Sequence, residues 1–201
     1  MAKFNNPKKW TGMKYPDSEL VGLIMKYARK DMKKGDIGID IGCGPGRHVK
    51  LLEETGFDAF GIDIDPLMIE TCKNNGVKAI IGDLNSYTYE GEVKVVTSWG
   101  LNMVTPNVAI NIAKNINPEY LIMDWRSKDD NSCYSFSENT IINKNTVLIK
   151  KENHVLDGLE YIFHNEDELE IEGYDLIYCQ KLVKDNGKEK HGWYQTVHKR
   201  K

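Results

Sequence analysis

The stretch Lys34 to Asp65, KGDIGIDIGCGPGRHVKLLEETGFDAFGIDID, constrains this chain more than any other. An apolar run (Ile37, Ile39, Ile41) leads into Gly42-Cys43-Gly44-Pro45-Gly46. A helical pattern over Arg47 to Thr55 stops at Gly56, and a second apolar run, Ala59 to Ile62, ends on Asp63. Such spacing predicts strand, glycine turn, helix and strand, with a carboxylate at the tip of the second strand. A unit of this kind suits a nucleoside, because glycines let the backbone approach the ligand and the acid accepts hydrogen bonds from ribose hydroxyls. A dinucleotide turn needs G-x-G-x-x-G, so that a pyrophosphate can reach the helix N-terminus. Here Arg47 stands where the third glycine belongs, which argues against a nicotinamide-dependent oxidoreductase.

The run Asp40-Ile41-Gly42-Cys43-Gly44-Pro45-Gly46 resembles motif I of the class I S-adenosylmethionine-dependent methyltransferases. Two further strand ends agree with that family. Val77 to Ile81 leads into Gly82-Asp83-Leu84, similar to the family's adenine-contacting stretch. Val93 to Thr97 leads into Ser98-Trp99-Gly100, where the family places a residue beside the donor methyl. The resemblance implies an α/β, Rossmann-like fold: a seven-stranded, mostly parallel sheet with helices on both faces and the last strand antiparallel. It implies S-adenosylmethionine as cofactor, S-adenosylhomocysteine as product, and a binding set of Asp40, Gly42, Gly44, Gly46, Asp63, Ile64, Asp83, Leu84 and Trp99. Within that set Asp63 takes the ribose while Asp65 caps the next helix. Asp40 either contacts the ligand's amino group or only supports the turn. Arg47 meets the methionyl carboxylate or is simply solvated, and His48 is not assigned.

At 201 residues the chain is long enough for one well-buried domain, residues 1–201, and short for two. It has no apolar run of membrane-spanning length, and its basic N-terminus lacks the apolar segment of a secretory signal. Cys43, Cys72, Cys133 and Cys179 are scattered singly, which suits a reducing cytoplasm and indicates neither a disulfide framework nor a metal site. A net charge of −3 gives no general attraction to nucleic acid. Oligomeric state is not legible.

Residues 1–16 carry Trp10 and Tyr15 and read as an arm that closes over the site, or as a loose extension covering the core edge. Asp17 to Met32 has helical periodicity, with Asp17 or Ser18 as cap. After a helix over Asn107 to Asn115, a strand over Tyr120 to Met123 ends in Asp124-Trp125-Arg126-Ser127. A long polar stretch follows to Asn145. In the family this region builds the acceptor pocket, so 124–164 reads as an acceptor-side insertion in which Trp125, Arg126 and Tyr134 meet substrate, with Tyr15 from the arm. The competing reading makes Trp125 core packing. Strand-like runs at Thr146 to Lys150 and His154 to Phe163 suggest a small added hairpin. His154 and Tyr15 are the candidates for an acid–base role, and His164 reads as a boundary residue. The chain departs from the family at Glu166 to Glu172, where a helix of several turns is replaced by a short one. Two closing strands, Tyr174 to Val183 and Trp193 to Lys199, complete the pattern.

Methyl transfer from a sulfonium needs alignment and water exclusion, and a base only where the nucleophile is protonated. No Asn-Pro-Pro-Tyr or Asp-Pro-Pro-Tyr follows the fourth strand, and Ser98-Trp99-Gly100-Leu101 favours a small-molecule acceptor. The expectation is therefore methyl transfer to oxygen or nitrogen of a small metabolite. The alternatives are a non-catalytic partner or sensor that binds the nucleoside, and an RNA or protein methyltransferase.

Overall fold

Period-two alternation in short β-branched runs builds a central sheet with two buried faces. The computed structural model describes residues 14–130, 139–150, 152 and 157–201. Strands β1 (Ile37–Ile41), β2 (Asp58–Asp63), β3 (Ala79–Ile81), β4 (Val95–Ser98) and β5 (Tyr120–Arg126) lie parallel. Three short strands, β6 (Thr140–Asn143), β7 (Thr146–Leu148) and β8 (Glu160–Ile162), form a separate antiparallel sheet. The chain then returns through β9 (Tyr174–Asp185) and β10 (Lys190–Arg200), and β10 inserts antiparallel between β5 and β9. The large sheet has the order β3-β2-β1-β4-β5-β10-β9, the seven-stranded and mostly parallel arrangement expected.

Each face has its own core. Ile39, Ile41, Val96, Leu121, Met123 and Trp125 pack with α4 (Val108–Asn115) and with Leu169 and Ile171. The opposite face carries Val95, Tyr120, Ile122 and Val197 under α1 (Ser18–Leu23), a wider π-helical turn over Ile24–Ala28, α2 (Arg47–Glu54) and α3 (Pro66–Asn74). Asp17 caps α1 by accepting from Glu19 N–H, and Asp65 caps α3 by accepting from Leu67 N–H.

Several boundaries differ from the sequence reading. The first helix was expected to run regularly to Met32, but it widens at Ile24, which keeps Leu20, Ile24 and Ala28 all fully buried. The short helix before β9 is a single 3₁₀ turn, Glu166–Glu168, held by a capping box between Asn165 and Glu168. Leu169 and Ile171 then fill that face of the core directly. The added hairpin, β7 with β8, gains a third strand, β6, from a stretch read as loop. Val147, Ile149, Leu159, Tyr161 and Phe163 form its own cluster with Val104, against Leu101 and Met103.

Candidate active site

The C-terminal ends of the parallel strands converge on the glycine turn. Gly42 and Cys43 both donate their N–H to Ile62 O (2.8 and 3.1 Å), which pins the turn against β2. At the tip of β2, Asp63 accepts from Gly44 N–H and from Asp65 N–H, both at 2.9 Å. Burial pushes the Asp63 carboxyl above its ordinary range, against those two donors. The three glycines are there for different reasons. All have positive φ, but a Cβ on Gly46 would meet Val77 at 2.8 Å and one on Gly42 would meet Leu101 at 3.1 Å. Only at Gly44 would it enter open space, so of the three this is the position where the backbone faces room for a ligand.

Beneath the turn lies a polar cluster. Asp40 is buried, and its Oδ1 accepts from Thr97 Oγ1 at 2.6 Å. Its Oδ2 lies 3.9 Å from His48 Nδ1 and has no hydrogen-bond partner among the described residues. Burial raises the Asp40 carboxyl to about 7 and holds His48 down to about 3, so at neutral pH the imidazole is uncharged. His48, left unassigned from the sequence, is thus the buried neighbour of the motif acid. Its position one residue inside the helix was the available signal.

Ile64 is partly exposed after Asp63. Asp83 accepts from Asn85 N–H and Nδ2 through one oxygen (3.0 Å each), and Leu84 is buried beside it in the α4-side core. Tyr15 is largely exposed, and its carbonyl accepts from Arg47 Nη1 at 3.1 Å, tying the end of the arm to the first turn of α2. Trp10, Tyr134 and His154 lie outside the described residues.

A cavity of about 290 Å³ opens beyond β4 and β5, lined by Asp17, Trp99, Asp124, Arg126, Lys184, His191 and Trp193. Asp124 Oδ1 accepts from Gly100 N–H at 2.6 Å, and burial raises its carboxyl to about 6. Arg126 is largely buried, ion-paired with Asp130 at 2.7 Å, with its guanidinium over the Tyr161 ring. Trp125 does not reach this cavity. It is a core residue of the opposite face: its Nε1 donates to Thr196 Oγ1 at 2.8 Å, and its ring meets His164 edge-on. The physical reason is that β5 runs on through Arg126, so Asp124 and Arg126 share one face and Trp125 takes the other. Asp124, not selected from the sequence, replaces Trp125 as a wall residue.

A family model for a methyltransferase domain matches residues 39–118, the segment that holds the turn, Asp63 and Asp83. A UPF0146 protein of Pyrococcus abyssi (strain GE5 / Orsay) is 30% identical over 104 residues, spanning 49% of this chain and 78% of that protein. The chain belongs to the class I S-adenosylmethionine-dependent methyltransferase family. Its fold is shared with a SAM-dependent methyltransferase from Methanosarcina mazei (TM-score 0.65, 13% identity, 89% of this chain and 96% of that one). Magnesium protoporphyrin IX methyltransferase from Synechocystis PCC 6803, solved with bound SAM, superposes with TM-score 0.59 at 14% identity over 100% of this chain and 86% of that one. In this family member the two halves of the site are joined by Gly100-Leu101: Leu101 packs on Gly42, and Gly100 bonds to Asp124.

Proposed function

We propose that the chain transfers a methyl group from S-adenosylmethionine to an oxygen or nitrogen of a small metabolite, leaving S-adenosylhomocysteine. The observation that carries this reading is a small cavity beside the glycine turn: its lining residue Trp99 stands two residues before Leu101, which packs on Gly42. The turn itself fits the cofactor: Gly44 faces open space, and the buried Asp40 Oδ2 has no hydrogen-bond partner among the described residues. When bound, the cofactor supplies a methyl already activated by the sulfonium charge.

The remaining work falls to this chain's residues. Gly44 lets the backbone approach, while Gly42 and Gly46 hold the turn's shape. Asp63 keeps lone pairs beyond those used by Gly44 and Asp65, and these accept the ribose hydroxyls. Asp83 and Leu84 take the adenine edge, with Ile64 beside the ribose and Trp99 at the boundary between the two ligands. Asp40 receives the cofactor's amino group or holds the turn that does. The Arg47 bond to the Tyr15 carbonyl holds residue 15 at the first turn of α2, and in this reading the arm, residues 1–16, serves as a cover that keeps water from the reacting atoms. The segment 124–164 completes the acceptor side of what we read as one domain acting in the cytoplasm.

Incubation with S-adenosylmethionine and a panel of small hydroxyl, amine and carboxylate acceptors tests the reading. The expected result is S-adenosylhomocysteine formed in step with one methyl gained by an acceptor, followed by mass spectrometry. Tight cofactor binding with no turnover on any small acceptor, and methylation of RNA or protein instead, would replace it.

A further inference from the structure

The cavity has two chemically different ends. The inner end is formed by Asp124 and Trp99, next to the Gly100 step that leads to the glycine turn. The outer end is formed by one face of the β9–β10 ribbon. His191 and Lys184 are paired across the strands, and Trp193 lies two residues along on the same face. Lys184 Nζ stands 5.1 Å from the centre of the Trp193 ring, so the cation is held over an aromatic wall.

The other charges at the cavity are engaged elsewhere. Arg126 is paired with Asp130 and also donates to Met103 Sδ. Asp17 caps α1, and Glu19 in the same turn, half of the pair it makes with Asp17, lies within reach of Lys184. Glu189 stands 3.7 Å from His191, but both side chains are well exposed and that attraction is screened. A carboxylate inside, and a lysine cation beside an imidazole outside, separated by indole surfaces, match a ligand with an anionic group at one end and a proton to give at the other.

Resting on the methyl-transfer reading above, we propose that the acceptor is a small planar organic acid. Its anionic group sits at Lys184 and His191, its ring or conjugated body lies along Trp193 and Trp99, and a hydroxyl or amine at its far end is deprotonated by Asp124. The proton leaves the acceptor heteroatom for the free lone pairs of Asp124, and the electron pair it leaves behind forms the new bond to methyl. Burial sets Asp124 near 6, with Asp17 raising it and Arg126 lowering it, so at neutral pH the carboxylate is ionised and able to take a proton.

Binding can be read without turnover, because Trp99 and Trp193 line the cavity and an occupant should quench their fluorescence. The probes are phenolic and hydroxyalkyl carboxylates, each beside its neutral methyl amide, added to the protein with S-adenosylhomocysteine. The expected result is a carboxylate series that quenches at concentrations at least about tenfold below the amides. That preference should vanish in Lys184→Met with His191→Gln, both on exposed or half-exposed positions that leave the core intact. For the preferred acid, Asp124→Asn should lower kcat at least about 100-fold while leaving binding within about threefold. It should also remove the acid limb of the pH profile near 6. Equal quenching by acids and amides, no quenching by any acid, or an unchanged pH limb in Asp124→Asn would overturn the proposal. Calorimetric binding of S-adenosylhomocysteine to the same samples separates the outcomes: if it binds while the acids fail, only the acceptor class falls, and if it does not bind, the methyl-transfer reading falls with it.

Discussion

The donor side and the acceptor side of this site are built by different means. On the donor side, Gly42 to Asp65 is one contiguous stretch, and its decisive contacts are local or span a single strand–helix–strand unit: Ile62 O with the turn, and Asp63 with Gly44 and Asp65. The acceptor side is assembled from the first turn of α1, the ends of β4 and β5, and the far end of the β9–β10 ribbon. The first is a motif that any chain carrying it can form. The second depends on which face each strand residue takes, and so on where each strand ends.

That comparison is sharpest at Asp63, where the largest effect is expected. Asp63→Ala removes the acceptor of two backbone N–H groups and, on the proposed reading, of the ribose hydroxyls. Cofactor Kd should rise roughly 10- to 100-fold, matching the ~1.5–3 kcal/mol of a hydrogen bond to a charged group. Calorimetry checks this, and an unchanged Kd would remove Asp63 from the site.

Gly46→Ala tests the turn's shape without touching the ligand. Its Cβ would stand 2.8 Å from Val77 Cγ1 at a φ of 88°, so a loss of about 1–3 kcal/mol is expected. Thermal unfolding should show a Tm lower by about 2–4 °C for each kcal/mol. The same substitution at Gly44, which faces open space at a φ of 52°, should cost less stability and more cofactor affinity.

A pair of tryptophans separates the two faces of the sheet. Trp125→Phe loses the bond to Thr196 and should cost about 1–2 kcal/mol in denaturant unfolding, with acceptor KM unchanged. Trp193→Phe should do the reverse, raising KM at nearly constant stability. If Trp125→Phe alone raised KM, the face assignment of β5 would be wrong.

The smallest effect concerns the buried acid. Burial raises Asp40 above its unfolded value, to about 7, so its contribution favours folding below the unfolded value near 4 and is lost as pH rises through 7. His48 acts oppositely: held near 3, it favours folding above its unfolded value and that contribution is lost as pH falls toward 3. Asp40→Asn, which keeps an oxygen for Thr97, should therefore raise Tm at about pH 8 relative to about pH 5. Parallel pH dependence in variant and wild type would show that Asp40 is not the titrating group.

The contrast also explains what could be read from residues alone. The turn and the capping Asp17 and Asp65 follow from local patterns, glycine with positive φ and N-cap chemistry, whereas the mostly parallel sheet with its antiparallel β10 is implied by the family resemblance. The acceptor wall follows only at Arg126: the sequence places Trp125 there and not Asp124, because Tyr120 to Met123 reads as a complete strand and Asp124-Trp125-Arg126 as the loop after it. Three more residues of pairing with β10, from Asp124↔Gln195 to Arg126↔Trp193, turn that loop into strand and send Trp125 to the core. Pairing partners 67 to 71 residues away leave no mark on the local pattern. The same holds for Lys184 and His191, whose apposition depends on the register of the β9–β10 ribbon. His48 was legible only as a helix residue, since its meeting with Asp40 needs the turn to be closed.

The central claim is that the Gly42 to Asp65 unit holds S-adenosylmethionine, and calorimetric titration of the full chain tests it most directly. The account predicts binding of S-adenosylmethionine and S-adenosylhomocysteine at one site per chain, and none of NAD. Binding of NAD, or failure of both S-adenosyl compounds with a folded protein, would contradict it.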